Sequence, residues 1–154
     1  AEFTARAAKY QPYGMRGLSF YTRAGDYTMF GTQGYTDYLN AEQVVIVHVE
    51  GKRGLDNLDE IITVPHIDVI FLGPYDLSQS FGIPGQVEDP RVVKGMEVAT
   101  AKIRAAGKAT GTFARDAATA RRWIDAGIQY ISLGVDVGIF AKACSDLVKE
   151  ARGQ

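Results

Sequence analysis

The sequence has a single cysteine, Cys144, and only two histidines among its 154 residues. One cysteine cannot form an internal disulfide, and it excludes a zinc site built from several cysteines. With 17 basic and 18 acidic residues the formal net charge is −1, so charge gives no reason to expect nucleic acid or an anionic membrane as a partner. No apolar run approaches the roughly 18 residues of a membrane span, and the first residues lack the apolar core of a secretory signal. These absences predict a cytoplasmic protein that binds neither nucleic acid nor membrane.

Short apolar runs alternate with helix-like segments from Val44 onward. Each run has the length and the β-branched or aromatic content of a buried strand, and each is followed by a segment with helical spacing of its apolar residues. Four repeats of this β-α rhythm predict a parallel sheet covered by helices. The predicted strands are 44–50, 67–73, 108–113 and 130–134.

The helical segments have recognisable ends. One helix is predicted from about Pro90 to Ala106, the next begins with Asp116 as its N-cap, and the last runs to about Ala151. Residues 1–43 are rich in aromatic residues and glycine and show no steady period, which predicts a long, well-packed surface excursion. The whole chain, 1–154, is interpreted as one domain.

Two architectures share this rhythm, the open doubly wound sheet and the closed eight-stranded barrel. A dinucleotide-binding sheet needs a glycine-rich turn after a strand, and neither G-x-G-x-x-G nor G-x-x-x-x-G-K-[ST] occurs in the sequence. The barrel places its chemistry at the carboxyl ends of the strands. Acidic residues stand at those positions here, which favours the barrel.

Glu50 ends the first predicted strand, VVIVHVE, and Asp76 follows the second in FLGPYDLS. The segment between them holds one helix and one strand, so the two strands should be neighbours with both acids at the same edge. Two carboxylates with open positions for water and substrate suit a hard divalent cation such as Mg²⁺ or Mn²⁺. Alternation along the strand places His48 on the same face as Glu50.

Simpler interpretations of both acids stay open at this point. A glutamate at a strand end often forms a salt bridge, and an aspartate after a Gly-Pro turn is often a helix N-cap. Asp76 would then cap the short segment DLSQSF. Asp136 in GVDVG could reach the mouth of the active site, but it is predicted instead to be the N-cap of the last helix.

The segment VIVHVEGKRGLDNLDEIITVPHIDVIFLGPYDLSQSFGIPGQVEDPRV resembles the HpcH/HpaI family of metal-dependent pyruvate aldolases. AAKYQPYGMRG upstream is similar to the family's K/R-Y-P-P-x-G-x-R-G element. RAAGKATGTF and ISLGVDVGIF are similar to its last two strands, so the resemblance covers nearly the whole chain. It implies a pyruvate-releasing carbon–carbon lyase with a modified β/α barrel.

The resemblance also implies roles for individual residues. Glu50 and Asp76 would hold the divalent ion, Mg²⁺ or Mn²⁺ with Co²⁺ as a further candidate, and the ion would chelate pyruvate and stabilise its enolate. The backbone N–H groups of Tyr75 and Asp76 would bind the pyruvate carboxylate. His48 stands where the family usually has a substrate-binding glutamine, and this departure puts the specificity of that contact in question.

The part of the family that this chain resembles is the C-terminal half of a (β/α)₈ TIM-type barrel. The family's first four strands, with its His–Asp proton-transfer pair and its substrate arginine, have no counterpart, so the catalytic residues are unknown. Four strands leave an inner face with nothing opposite and two unpaired edges. Either the chain is a piece of a longer protein or a second chain completes the barrel.

The leading functional hypothesis is a class II aldolase that cleaves a 4-hydroxy-2-oxo acid to pyruvate and an aldehyde. A related lyase acting on a CoA thioester is an alternative within enzymes, and a non-catalytic half-barrel binding or assembly module is an alternative outside them. The expected partners are pyruvate and either a second copy of the chain or a complementing N-terminal half.

Overall fold

The computed structural model describes residues 1–29 and 34–153. Helices and strands alternate through most of the chain, and a 3₁₀ segment, Arg23–Thr28, lies between the first two helices. The helices are α1 (Glu2–Ala8), α2 (Tyr35–Glu42), α3 (Lys52–Asp56), α4 (Leu58–Ile61), α5 (Pro74–Ser80), α6 (Pro90–Ala105), α7 (Ala117–Asp125) and α8 (Asp136–Ala151), and the strands are β1 (Ile46–Val49), β2 (Val69–Leu72), β3 (Ala109–Ala114) and β4 (Tyr130–Leu133).

The four strands form one sheet in the order β1-β2-β3-β4, and every neighbouring pair is parallel. Each strand lies within two residues of its predicted bounds, because its apolar run is short and sharply bounded in the sequence. The predicted fold class, an α/β chain with parallel strands that alternate with helices, is confirmed. Within residues 1–29 and 34–153, no helix combines the length and apolar character needed to cross a membrane.

The two faces of the sheet have different environments. Val47, Val49, Ile70 and Leu72 belong to the buried core between the sheet and its helices, together with Trp123 of α7. The opposite, inner face is more open: along β1 the pattern is intermediate, buried, exposed, buried. Burial of the outer face stabilises the packing of the helices on the sheet. Because side chains alternate along each strand, the inner face is left partly exposed.

Aspartates begin two of the helices that cover this sheet. Asp116 caps α7 by accepting a 2.8 Å hydrogen bond from the Thr119 N–H, as predicted. Asp89 caps α6 in the same way through the Arg91 N–H. The prediction for Asp136 is wrong, because Val135 is the N-cap of α8 and Asp136 is its first helical residue.

The first 43 residues contain α1 and α2, and of these two helices α2 was not predicted from its pattern. Buried Lys9 joins them by donating from Nζ to the backbone oxygens of Asn40 and Gln43, both at 2.8 Å. The prediction of tight packing is only partly right, because large apolar side chains here remain exposed: Phe3, Tyr13, Met15, Leu18, Tyr21, Tyr27, Met29 and Tyr38.

Candidate active site

Glu50 directly follows β1, at the carboxyl end of the sheet. The last register pair is Val49 with Leu72, so Glu50 lies level with Gly73, the N-cap of α5. A Cβ built on Gly73 would lie 2.8 Å from the Glu50 Cβ and 3.0 Å from Oε2. The Glu50 side chain therefore lies across the end of β2 and occupies the space that any other residue at 73 would need.

Asp76 is the third residue of α5, which begins at Pro74 with Gly73 as its N-cap and no side-chain cap. Asp76 therefore does not cap this helix, and that simpler interpretation does not hold. Its side chain is exposed, and within the described residues it makes no hydrogen bond or ion pair. Glu50 and Asp76 thus follow the carboxyl ends of two adjacent strands, as their spacing predicts.

The carboxylates of Glu50 and Asp76 fit a hard divalent cation only if other oxygen ligands complete its coordination shell. Within the part of the chain that the structure describes, no group of three or more His, Cys, Asp or Glu side chains is arranged to hold a metal. Glu50 and Asp76 offer carboxylate oxygens, which Mg²⁺ and Mn²⁺ prefer. Mg²⁺ in proteins commonly keeps several water ligands and binds one or two carboxylates. A site with the two carboxylates of Glu50 and Asp76 is therefore consistent with Mg²⁺ if water and substrate supply the other ligands.

His48 lies on the same face as Glu50, two residues before it. Its Nδ1 is 3.3 Å from Glu50 Oε2, with both side chains about half exposed. The imidazole stacks on Phe71, with ring centroids 4.6 Å apart and an interplanar angle of 17°. The stack and the carboxylate together fix the ring below Glu50, where the strand alternation predicts it.

An aromatic row crosses the inner face of the sheet beneath these polar groups. The strand register aligns His48 with Phe71, Phe71 with Gly111 and Gly111 with Tyr130. A Cβ on Gly111 would lie 2.9 Å from Phe71 and 3.0 Å from Tyr130. The absence of a side chain at 111 lets the two rings approach edge to face, 6.2 Å apart. This row provides an apolar floor for the site.

Tyr75 lies beside this end of the sheet, and its ring is 6.0 Å from that of Phe113 on β3. The first intrahelical hydrogen bond of α5 runs from the Leu77 N–H to the Gly73 oxygen at 3.0 Å. The N–H groups of Tyr75 and Asp76 precede it, so they have no helical acceptor. These donors and the two carboxylates lie at the same end of the sheet.

Three residues of this region were not singled out from the sequence: Gly111, Phe113 and Tyr130. All three lie on the inner face of the sheet, and the register between strands sets Gly111 and Tyr130 level with Phe71, with Phe113 two residues further along β3. Their alternation along each strand was the available signal. The second histidine, His66, lies before β2 at the opposite end of the sheet, with its ring 4.9 Å from Tyr13.

The sequence model of the HpcH/HpaI aldolase/citrate lyase family matches residues 2–143. The chain is 34% identical over 153 residues to a hydroxypyruvate/pyruvate aldolase of Pseudomonas aeruginosa, covering 99% of this chain and 57% of that protein. It is 38% identical over 143 residues to a 2-keto-3-deoxy-L-rhamnonate aldolase of Shigella sonnei, covering 93% and 53%. The chain thus spans little more than half the length of these two curated relatives.

The fold is similar to that of a solved HpcH/HpaI aldolase/citrate lyase family protein from Burkholderia cenocepacia J2315. The TM-score is 0.89 at 34% identity, and the match covers 96% of this chain and 58% of the other. The four β-α units described above therefore correspond to a little over half of that larger fold.

Proposed function

This chain belongs to the HpcH/HpaI aldolase/citrate lyase family, and from that premise we propose that it forms the metal- and pyruvate-binding part of a class II aldolase. The full enzyme would cleave a 4-hydroxy-2-oxo acid to pyruvate and an aldehyde. Relatives named as aldolases of pyruvate, hydroxypyruvate and a 2-keto-3-deoxy sugar acid support this reaction class.

The metal ligands in this proposal are Glu50 and Asp76. The ion would be Mg²⁺ or Mn²⁺, with Co²⁺ as a further candidate. When bound, it supplies Lewis-acid stabilisation of the negative charge that develops on the keto oxygen of the substrate. The room that Gly73 leaves at the end of β2 is occupied by the Glu50 side chain, which supports Glu50 as one of the two ligands.

Substrate contacts come from the chain's own backbone and side chains. The N–H groups of Tyr75 and Asp76 would donate to the pyruvate carboxylate, which is their role by resemblance to the family. His48 would contact the substrate from below, because Phe71 and Glu50 hold its ring on the inner face. The apolar floor formed by Phe71 and Tyr130 would exclude water from the reacting carbons.

Proton transfer to and from the substrate hydroxyl is assigned to groups outside this chain. The family's His–Asp pair and its arginine have no counterpart in these residues, and a positioned base is worth typically 10²–10⁴ in rate. We expect the 154-residue chain alone to cleave 4-hydroxy-2-oxo acids slowly. Adding a complementing N-terminal half should restore the missing rate.

The close approach of Glu50 to Gly73, in a chain of this family, is the observation that carries the proposal. Paramagnetic broadening of the pyruvate methyl resonance tests it, because broadening requires pyruvate near a protein-bound Mn²⁺. Wild-type protein with Mn²⁺ should broaden the resonance beyond free Mn²⁺ alone, and Asp76→Asn should abolish the difference. Equal broadening by both proteins would contradict the proposal.

Two alternative functions give different results in related measurements. A lyase acting on a CoA thioester would bind that ligand in competition with pyruvate at the same Mn²⁺. A non-catalytic binding or assembly module would bind metal and pyruvate, yet stay inactive after a complementing half is added. Restored turnover of a 4-hydroxy-2-oxo acid, with no competition by the thioester, is the outcome that we expect.

A further inference from the structure

Helix α5 carries two polar side chains on one face. Asp76 and Ser80 are four residues apart, a spacing that places both on the same side of a helix. Asp76 lies in the first turn, and Ser80 is the last helical residue. The contacts of Ser80 therefore indicate which part of the molecule this face of α5 meets.

Ser80 makes hydrogen bonds in two directions. Its hydroxyl donates to the Leu77 oxygen at 2.8 Å, and its Oγ accepts from the Lys52 N–H at 3.0 Å. The first bond is the local one that serine makes with the preceding helical turn, and it orients the hydroxyl. The second bond crosses to a segment 28 residues earlier in the chain.

Lys52 is the first residue of α3, and its N–H needs an acceptor from outside that helix. The first N–H groups of a helix have no intrahelical partner, and the N-cap of α3 is Gly51, which has no side chain to supply one. Ser80 supplies the acceptor instead. The two segments are in contact there, because a Cβ on Gly51 would lie 4.0 Å from the Ser80 Cβ.

This bond joins the two segments that carry the proposed metal ligands. Glu50 is two residues before Lys52, and Asp76 is about one helical turn before Ser80. In the part of the chain that the structure describes, no other hydrogen bond connects the segment after Glu50 with α5. Ser80 is therefore the polar link between the two ligand-bearing segments.

The strand ladder holds this end of the sheet less tightly. Its last bond between β1 and β2 runs from the Gly73 N–H to the Val49 oxygen and is 3.4 Å long. Hydrogen bonds of this type usually measure about 2.7–3.2 Å. The side chains that follow these strands therefore depend on further contacts for their spacing.

We propose that Ser80 is a positioning residue for the metal site: by accepting from the Lys52 N–H, it sets the spacing between the Glu50 and Asp76 carboxylates. The inference rests on the proposed function, because it requires that these two carboxylates share one ion. Mg²⁺ demands near-ideal octahedral geometry with ligands at about 2.1 Å. A small shift of one segment should therefore weaken binding.

Mn²⁺ titration of the 154-residue chain, followed by electron paramagnetic resonance, tests this role. Ser80→Ala removes the acceptor and should weaken Mn²⁺ binding at least fivefold. It should fold like wild type, because Ser80 is exposed and alanine favours a helix. Ser80→Thr keeps the hydroxyl and should restore wild-type affinity. The matched control is Thr63→Ala, which removes a hydroxyl with the same local bond, to the Glu60 oxygen three residues earlier, and should bind Mn²⁺ like wild type.

Hydrogen exchange of the Lys52 N–H adds a measurement that a purely structural cap would not affect. If the bond and the metal site are coupled, the coupling is reciprocal, so metal binding also strengthens the bond. Saturating Mg²⁺ should slow the exchange at Lys52 at least threefold in wild type and leave it unchanged in Ser80→Ala. A cap without this coupling would show no response to Mg²⁺ in either protein, which would overturn the inference.

The possible results separate this inference from the proposed function. Wild-type Mn²⁺ affinity in Ser80→Ala, or an equal loss in Thr63→Ala, would overturn the role of Ser80 while Glu50→Gln still weakened binding. A wild-type chain that binds no Mn²⁺, or a Glu50→Gln variant that binds it as strongly as wild type, would contradict both. Loss in Ser80→Ala with recovery in Ser80→Thr is the result that we expect.

Discussion

Gly73 and Glu50 are in direct contact across the ends of β1 and β2: a Cβ on Gly73 would lie 2.8 Å from the Glu50 Cβ. The backbone at 73 has φ −89° and ψ 102°, a conformation that other residues adopt readily. Glycine is therefore needed here for space and not for backbone freedom. This contact places the carboxylate beside the first turn of α5, where Asp76 lies.

Gly73→Ala should displace the Glu50 side chain and weaken Mn²⁺ binding at least tenfold, because the new methyl group and the Glu50 Cβ cannot both keep their positions. Electron paramagnetic resonance of free Mn²⁺ measures the affinity. Gly17→Ala is the control, since a Cβ at Gly17 has no heavy atom within 4 Å. Unchanged Mn²⁺ affinity in Gly73→Ala would show that the position of Glu50 does not matter for the metal.

Gly111→Ala should destabilise the protein by about 1–3 kcal/mol through overpacking, because a Cβ at 111 would lie 2.9 Å from Phe71 and 3.0 Å from Tyr130. Urea unfolding measures the change. Gly138→Ala, inside α8 with open space around it, should instead stabilise its helix by about 0.5–1 kcal/mol. Equal effects at both positions would contradict the close ring contact across Gly111.

His48→Gln should preserve aldolase turnover at saturating Mn²⁺ in an enzyme completed with an N-terminal half, because the amide supplies a comparable hydrogen-bond donor. Steady-state kinetics measure kcat and KM separately. His48→Leu removes the donor and should raise KM for the substrate. A fall of kcat by about 10² or more in His48→Gln would instead assign proton transfer to His48.

Asp116→Asn tests a pH-dependent contribution to stability. The hydrogen bond from the Thr119 N–H holds the pKa of Asp116 below its ordinary value of 3.8, so the carboxylate stabilises the fold above that value. This stabilisation is lost as the pH falls through the folded-state pKa. The difference in unfolding free energy between wild type and Asp116→Asn should therefore shrink from about pH 6 to about pH 3. A difference that stays constant over this range would argue against the charged cap.

The strands and most of their helices were predictable because their signals are local. The apolar runs have clear ends, and Asp116 directly precedes a segment of helical spacing, as an N-cap does. The positions of Glu50 and His48 followed from alternation along one strand. The contact between Phe71 and Tyr130 was not predictable, because it depends on the register of three strands and on a missing side chain at Gly111.

Other features depend on contacts that no short pattern reveals. Helix α2 is held by Lys9, more than 30 residues earlier in the chain, and its own apolar spacing is weak. No residue of α8 is buried, whereas its amphipathic pattern alone predicts a helix that covers β4.

Mn²⁺ titration of Glu50→Gln and Asp76→Asn, followed by electron paramagnetic resonance, tests the proposed metal site most directly. The control is Glu60→Gln, which makes the same change on an exposed residue of α4. Wild type and the control should bind one Mn²⁺ with equal affinity, and each site variant should bind at least tenfold more weakly, since each loses one of two charged ligands. A variant that carries both Glu50→Gln and Asp76→Asn should bind Mn²⁺ most weakly. Mn²⁺ binding of wild-type strength in this double variant would contradict the assignment of Glu50 and Asp76 as the metal ligands.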